Sequence, residues 1–260
     1  MNTLNPKPMK SEISLFELLE LLTVDCKDDG EKFVAGERLS VIERLLEGSP
    51  YRLVAREPLA LLFAKERFCE SEKAVLVSSH TDCVYPSLFC HDEGDTMRGT
   101  FDNSFGNVAV IWNMLNGSLP ENVVVAFTGD EEKDSAGALQ ALRALGGFGC
   151  PLSSALVLDV TNVGWESGAL FTIENDACID IMTAYGIVSS LEQYSGRFAF
   201  LHNAEPDESW CYAEYGVPSL SLCLPVGGEL HSKEGVILRK DAAQEYCRVL
   251  SILSNILCGV

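Results

Sequence analysis

The chain has 260 residues, 47% of them hydrophobic and 22% charged, an ordinary globular composition with enough apolar material for a sizeable core. Its formal net charge is −19, which argues against nucleic acid or an anionic membrane as partner, because Lys and Arg would have to make those contacts. The ten cysteines include no CxxC pair, and Cys178, Cys223, Cys247 and Cys258 sit in apolar segments, as reduced core cysteines do.

The N-terminus carries no apolar h-region and no apolar run is long enough to span a bilayer, so the expected location is cytoplasmic. Residues 12–25, with Ile13, Leu15, Phe16, Leu18, Leu19, Leu21 and Leu22, read as an apolar helix. A second helix is predicted over 31–47, with Phe33, Val34, Leu39, Ile42, Leu45 and Leu46, stopping near Gly48-Ser49-Pro50. Short strands follow near 51–55 and 59–64. Then Ala74-Val75-Leu76-Val77-Ser78-Ser79 reads as a buried strand running into His80-Thr81-Asp82.

Residues 83–99 read as a loop with Pro86, Gly94 and Gly99. Asp102-Asn103-Ser104 starts a helix whose Phe105, Val108, Ala109, Trp112 and Leu115 share a face. A strand over 123–128 exits through Gly129-Asp130-Glu131-Glu132. The next helix, with Ala136, Leu139, Leu142 and Leu145, is expected to end at Gly146-Gly147, where glycine suits a left-handed cap. Residues 155–160 form a strand with Asp159 near its carboxyl end, and 168–204 show only scattered apolar residues. A strand over 217–224, a loop over 225–235 and a final amphipathic helix over 239–257 complete the chain.

Alternating strands and helices predict an α/β fold, a three-layer αβα sandwich around a mixed, mostly parallel sheet. No stretch reads as a linker, so residues 1–260 are expected to form a single catalytic domain. Ligands in such folds bind beyond the carboxyl ends of the strands. His80, Glu131, Glu132, Asp159 and His231 fall there, and Asp102 falls at a helix start.

Each signal alone is weak. A lone His after a strand is most often structural, and adjacent glutamates are usually a solvated turn. Asp159 is harder to dismiss, because an acid ending Leu156-Val157-Leu158 is costly to bury unless a cation or donors meet it. Two histidines and three carboxylates together suit two zinc-like ions, one carboxylate bridging, with a further glutamate left as general base.

The ordered set resembles the dinuclear zinc exopeptidases, the clan of the M28, M42 and M20 metallopeptidases. The matching segments are Ser79-His80-Thr81-Asp82, Gly99-Thr100-Phe101-Asp102-Asn103-Ser104-Phe105-Gly106, and Thr128-Gly129-Asp130-Glu131-Glu132 with Gly137. Leu158-Asp159 and Leu230-His231-Ser232-Lys233-Glu234 follow. Pro206-Asp207-Glu208 and Tyr215-Gly216-Val217-Pro218-Ser219-Leu220 also look like the stretch before the last metal histidine. The similarity covers roughly residues 70–240.

The resemblance implies that His80 and Asp159 hold one metal, Glu132 and His231 the other, and that Asp102 bridges them. Two divalent ions are implied, zinc first, with cobalt or manganese as alternatives. Glu131 would be the general base, and Asp82 the partner that orients His80. A cis peptide is expected at Asp102-Asn103. The M20 enzymes insert a lid between the residues matching Asp159 and His231, and the M42 enzymes insert a domain between those matching His80 and Asp102. Both intervals are short here, so a compact core without inserted lid or dimerisation domain, closest to M28, is expected.

Between residues 160 and 230 the only Lys or Arg is Arg197, while acidic residues abound. That composition favours a free amino group over a carboxylate as the recognised feature. The expected function is an aminopeptidase acting on peptides or small amides. A deacylase or dipeptidase, a one-metal glutaminyl cyclase, and a non-catalytic binding protein are the alternatives. Tyr185, Tyr194 and Tyr212 are candidate oxyanion stabilisers, Trp165 and Trp210 candidate pocket walls, and oligomerisation is left open.

Overall fold

The computed structural model describes residues 13–25, 36–68, 73–85, 87–175, 178–202, 204 and 206–259. Helix α1 (Leu15–Leu22) starts with a capping box, in which Ser14 accepts from the Glu17 amide and Glu17 accepts from the Ser14 amide. Helix α2 spans Glu37–Leu46; the 31–35 part of its predicted span lies outside the described residues. Strands β1 (Tyr51–Glu57) and β2 (Ala60–Lys65) form a hairpin, and β3 (Ala74–His80) is buried along its whole length.

The stretch expected as loop 83–99 contains two short strands, β4 (Cys90–Asp92) and β5 (Thr96–Gly99). They are too short for alternation to register, and they exist because β5 pairs with β11 (Val236–Arg239). Helix α3 spans Ser104–Leu115, β6 Val123–Thr128, α4 Ala136–Gly147 and β7 Leu152–Thr161. Gly146 and Gly147 belong to the last turn of α4, and the left-handed glycine comes after it, at Gly149 with φ 70°. The ambiguous region resolves into β8 (Phe171–Asn175), α5 (Ile181–Ser190), a 3₁₀ turn (Glu192–Tyr194) and β9 (Phe198–His202). Helix α6 (Glu208–Glu214), β10 (Ser219–Gly227), β11 and α7 (Lys240–Cys258) follow.

The sheet runs β1-β2-β6-β3-β7-β10-β11-β5-β4, with β8 beside β10 and β9 beside β8. Its centre, β6-β3-β7-β10, is parallel; the flanking ladders are antiparallel except β8–β9, which is parallel. Both faces of that centre are apolar, as a doubly covered parallel sheet requires. Val75, Val77, Val125 and Leu156 pack into a core shared with α1, α2, α3 and α7. Their alternates Leu76, Val124, Ala126 and Val157 pack against α4 and α6. That is the three-layer αβα sandwich.

Parallel β3, β6 and β7 all end at one rim, which brings His80, the turn after Thr128 and Asp159 together. Gly137 seals α4 onto that turn: its amide donates to Gly129 O at 3.0 Å, and a Cβ there would lie 2.4 Å from Gly129 O and 2.5 Å from Leu59 O. Gly137→Ala should therefore lower stability by roughly 1–3 kcal/mol through forced overpacking, read as a melting temperature several degrees lower. A wild-type melting curve would show that the backbone yields freely here.

Candidate metal centre

Six side chains from five separate segments converge at the rim. His80 is the last residue of β3 and its side chain is 1% exposed. Asp102 precedes α3, Glu131 and Glu132 occupy the turn after β6, and Asp159 lies near the end of β7. His231 lies in the loop joining β10 to β11. His80 Nε2 is 3.2 Å from Asp102 Oδ1 and 3.6 Å from Asp159 Oδ1. His231 Nε2 is 3.0 Å from Asp102 Oδ2 and 3.3 Å from Glu132 Oε2. Two ligand-type triads therefore close, His80–Asp102–Asp159 and Asp102–Glu132–His231, with Asp102 in both. A third combination, His80–Glu131–Glu132, also closes, and Glu131 Oε2 stands 3.9 Å from His80 Nε2.

Each position has a local cause. The Asp102–Asn103 peptide is cis. Asn103 caps α3 by accepting from the Gly106 amide at 2.9 Å, and its side-chain amide donates to Leu158 O at 2.6 Å, bracing the backbone just before Asp159. One turn on, Asn107 donates to His80 O at 2.7 Å. Asp82 meets more than His80. Its Oδ1 is 3.4 Å from His80 Nδ1, and its two oxygens accept from the Glu131 and Glu132 amides, each at 3.3 Å. Arg38, wholly buried, donates to Thr81 O at 3.0 Å and Leu22 O at 2.8 Å, tying α1 and α2 to the same turn.

The electrostatics are those of crowded acids. Burial, reinforced by Asp102, pushes the Glu132 carboxyl up to about 7. Burial likewise raises Glu131 and, more strongly, Asp159. Burial opposes protonation of His80, but Glu131, Asp102, Asp159 and Asp82 together hold its pKa well above the usual range. The hydrogen bond to Asp102 lifts His231 to about 9. Asp102 itself is lowered: His231 and His80 outweigh its burial. His80 Nε2 and Glu132 Oε1 are buried without a hydrogen-bond partner, a costly condition that a cation would relieve. Imidazole and carboxylate donors in two shared triads fit a pair of divalent ions.

Sequence reasoning missed the layer beneath. Glu208, fully buried at the start of α6, accepts from Ser78 Oγ at 2.7 Å, and Ser78 Oγ also lies 2.7 Å from Tyr212 Oη. Burial pushes Glu208 up to about 7. Nothing in Pro206-Asp207-Glu208 marks that acid as buried, since charged residues at a helix start usually face water. In the other direction a cleft of about 680 Å³ opens from the centre, its walls including Glu174, His202, Asp207 and Lys133.

The tyrosines singled out as oxyanion candidates do not line this cleft. Tyr185 is 68% exposed on α5, Tyr194 donates to Glu245 at 2.9 Å, and Tyr212 is buried against Ser78. Trp165 stacks with Arg239 and presses on Gly227, and Trp210 is exposed. Tyr85, which the sequence did not single out, is the tyrosine next to the cluster, edge-on to His231.

No protein-family model and no curated protein matches the sequence. Solved structures do match. A TET aminopeptidase from the marine sediment archaeon Thaumarchaeota archaeon SCGC AB-539-E09 has a TM-score of 0.72 at 13% identity, over 94% of this chain and 99% of that one. The Pyrococcus horikoshii TET1 peptidase has a TM-score of 0.68 at 15% identity, over 93% and 99%. A zinc aminopeptidase from Bacillus subtilis has a TM-score of 0.56 at 13% identity, over 75% and 48%. This chain has their fold. It is the fold that the resemblance of the metal segments implied.

In chelator-treated protein, Glu132 and His231 both have pKa values raised by folding. The stability each contributes is full below its usual value, 4.5 and 6.5, and is lost as pH rises through about 7 and about 9. The His231 share is screened, because its ring is 44% exposed. The melting temperature of stripped protein should therefore fall steadily from about pH 5 to about pH 9. Excess divalent cation should flatten that fall, since metal binds the deprotonated ligands. A stripped protein that gains stability over this range would contradict the assignment.

Proposed function

We propose that the chain is a dinuclear metal-dependent exopeptidase that releases N-terminal residues from peptides. The observation that carries this reading is the pair of ligand triads sharing Asp102, with Glu131 facing the same space. In this reading His80 and Asp159 hold one ion, Glu132 and His231 the other, and Asp102 bridges. Two divalent ions, zinc by donor type with cobalt or manganese as alternatives, supply Lewis-acid polarisation of the scissile carbonyl and a more acidic water.

The chain's own groups do the remaining work. Glu131 takes the proton of the attacking water on its carboxylate and delivers it to the leaving amide nitrogen. Burial raises its pKa, which makes it a better base than a solvated glutamate. Asp82 keeps Glu131 and Glu132 in register by receiving both amides, so that one glutamate serves as base and its neighbour as ligand.

The cleft favours a substrate amino group over a carboxylate. Among its described lining residues Lys133 is the only Lys or Arg, and Lys133 is paired with Asp130 at 3.0 Å. Arg197 borders a different groove, near Tyr194 and Arg248. Glu174 and Asp207 add acidic character to the cleft wall. The names of the similar structures, an aminopeptidase and a zinc aminopeptidase among them, agree with this reading. We take residues 1–260 as one catalytic unit. Reduced core cysteines such as Cys223 and Cys247 suit a cytoplasmic setting. Among the described residues no helix is long and apolar enough to cross a membrane.

Glu131→Gln should keep its metal and lose roughly 10²–10⁴-fold in turnover on aminoacyl substrates; undiminished turnover would remove Glu131 as base. Glu132→Ala should retain about one equivalent of metal where wild-type protein holds two, measured by atomic emission after dialysis. A panel pairing free-amino with N-acyl amides decides between aminopeptidase and deacylase: faster cleavage of the acylated set would overturn the amino-terminal reading.

A further inference from the structure

The two histidines of the metal centre are held in different ways. His80 is sealed in the sheet rim, and Asp82 stands behind its Nδ1 at 3.4 Å. A carboxylate in that place fixes the ring orientation of a ligating histidine. His231 has no such arrangement: among the described residues its ion pairs, with Asp102 and Glu132, both run through Nε2. Its ring is 44% exposed, and its backbone has φ 63°, a left-handed conformation uncommon outside glycine. A loop residue in that state needs a neighbour to hold it, or its imidazole will sample other directions.

Tyr85 is that neighbour. Its ring meets the His231 ring edge-on, with centroids 5.9 Å apart and planes at 83°, a favoured aromatic geometry. The side chain is fully buried and packs with Cys83 and Leu88. Its hydroxyl is buried without a hydrogen-bond partner, so it is the ring that meets His231.

We propose that Tyr85 is the positioning residue of the second metal position, holding the His231 ring through their edge-on contact as Asp82 holds His80 through its carboxylate. Being fully buried, Tyr85 does not touch substrate and acts through His231 alone. The turn that follows β3 thus carries the orienting group for both histidines, Asp82 for one and Tyr85 for the other. This inference rests on the dinuclear reading above and adds a selective requirement to it: loss of Tyr85 should weaken one metal position and spare the other.

The test is a zinc titration of chelator-stripped full-length protein against a chromophoric chelator, for wild type, Tyr85→Phe, Tyr85→Leu and Tyr85→Ala. Wild type should take up two equivalents. Tyr85→Ala should bind the first as wild type does, within about twofold, and the second roughly 10–100-fold more weakly. Tyr85→Phe, which keeps the ring, should bind both equivalents within about twofold of wild type, and Tyr85→Leu, which fills the space without an aromatic edge, should weaken the second alone by about 3–10-fold. Both equivalents binding as in wild type in Tyr85→Ala or Tyr85→Leu, with wild-type circular dichroism, would overturn the proposal. So would a loss shared equally by the two equivalents, which is what general loosening produces. If Tyr85→Ala does not fold, Tyr85→Leu decides by itself, and an unchanged second equivalent in it overturns the proposal. Wild-type protein that takes up no zinc overturns the dinuclear reading first, and that arm separates the two failures.

Discussion

One carboxylate organises this molecule. Asp102 turns one oxygen to His80 and the other to His231, and those histidines lie at opposite ends of the segments that build the site. A side chain can do this only if the backbone beside it is fixed from both directions. Asn103, next in the chain, supplies that by capping α3 and gripping Leu158 O, while Asn107 grips His80 O. The first turn of α3 is a bracket between the ends of β3 and β7. The parallel centre of the sheet then puts the remaining ligand-type residues at the same rim.

The cluster is electrostatically expensive. Asp82, Asp102, Glu131, Glu132 and Asp159 share a largely buried volume with two imidazoles, and the raised values at Glu132 and Asp159 express their mutual repulsion and desolvation. Such groups stay together because the elements that bear them are packed for other reasons: two apolar cores, one on each face of the sheet, hold the strands whatever the state of the rim. Buried polar supports complete the frame. Arg38 joins α2 to the Thr81 carbonyl, and Glu208 with Ser78 and Tyr212 fills the space under β3. Cost at the rim and stability in the layers are separable.

The long elements were legible because burial on both faces writes unbroken apolar runs. Val123-Val124-Val125-Ala126-Phe127 and Ala74-Val75-Leu76-Val77 read as strands, and α3 and α7 as helices, from pattern alone. The short strands β4, β5 and β11 were not, since three or four residues carry no period and these strands form through pairing with one another and with β10. Helix α4 ends at Gly147 as its glycines suggest, but the left-handed conformation expected of that pair falls on Gly149, because Gly146 and Gly147 still belong to the last turn. The oxyanion tyrosines failed for a related reason: residue type says nothing about direction, and Tyr185, Tyr194 and Tyr212 face solvent, Glu245 and Ser78.

What the sequence by itself determined is therefore the list and order of ligand-type residues at element ends, and the α/β class that would gather them. Hydrophobic period and motif spacing are local properties, carried by a few neighbouring residues. Tertiary structure alone decided that Asp102 reaches both histidines, that Asp82 serves both glutamates as well as His80, and that Tyr85 lies against His231. These are contacts between distant segments, and their distances come from how sheet and helices pack, which no stretch of chain encodes alone.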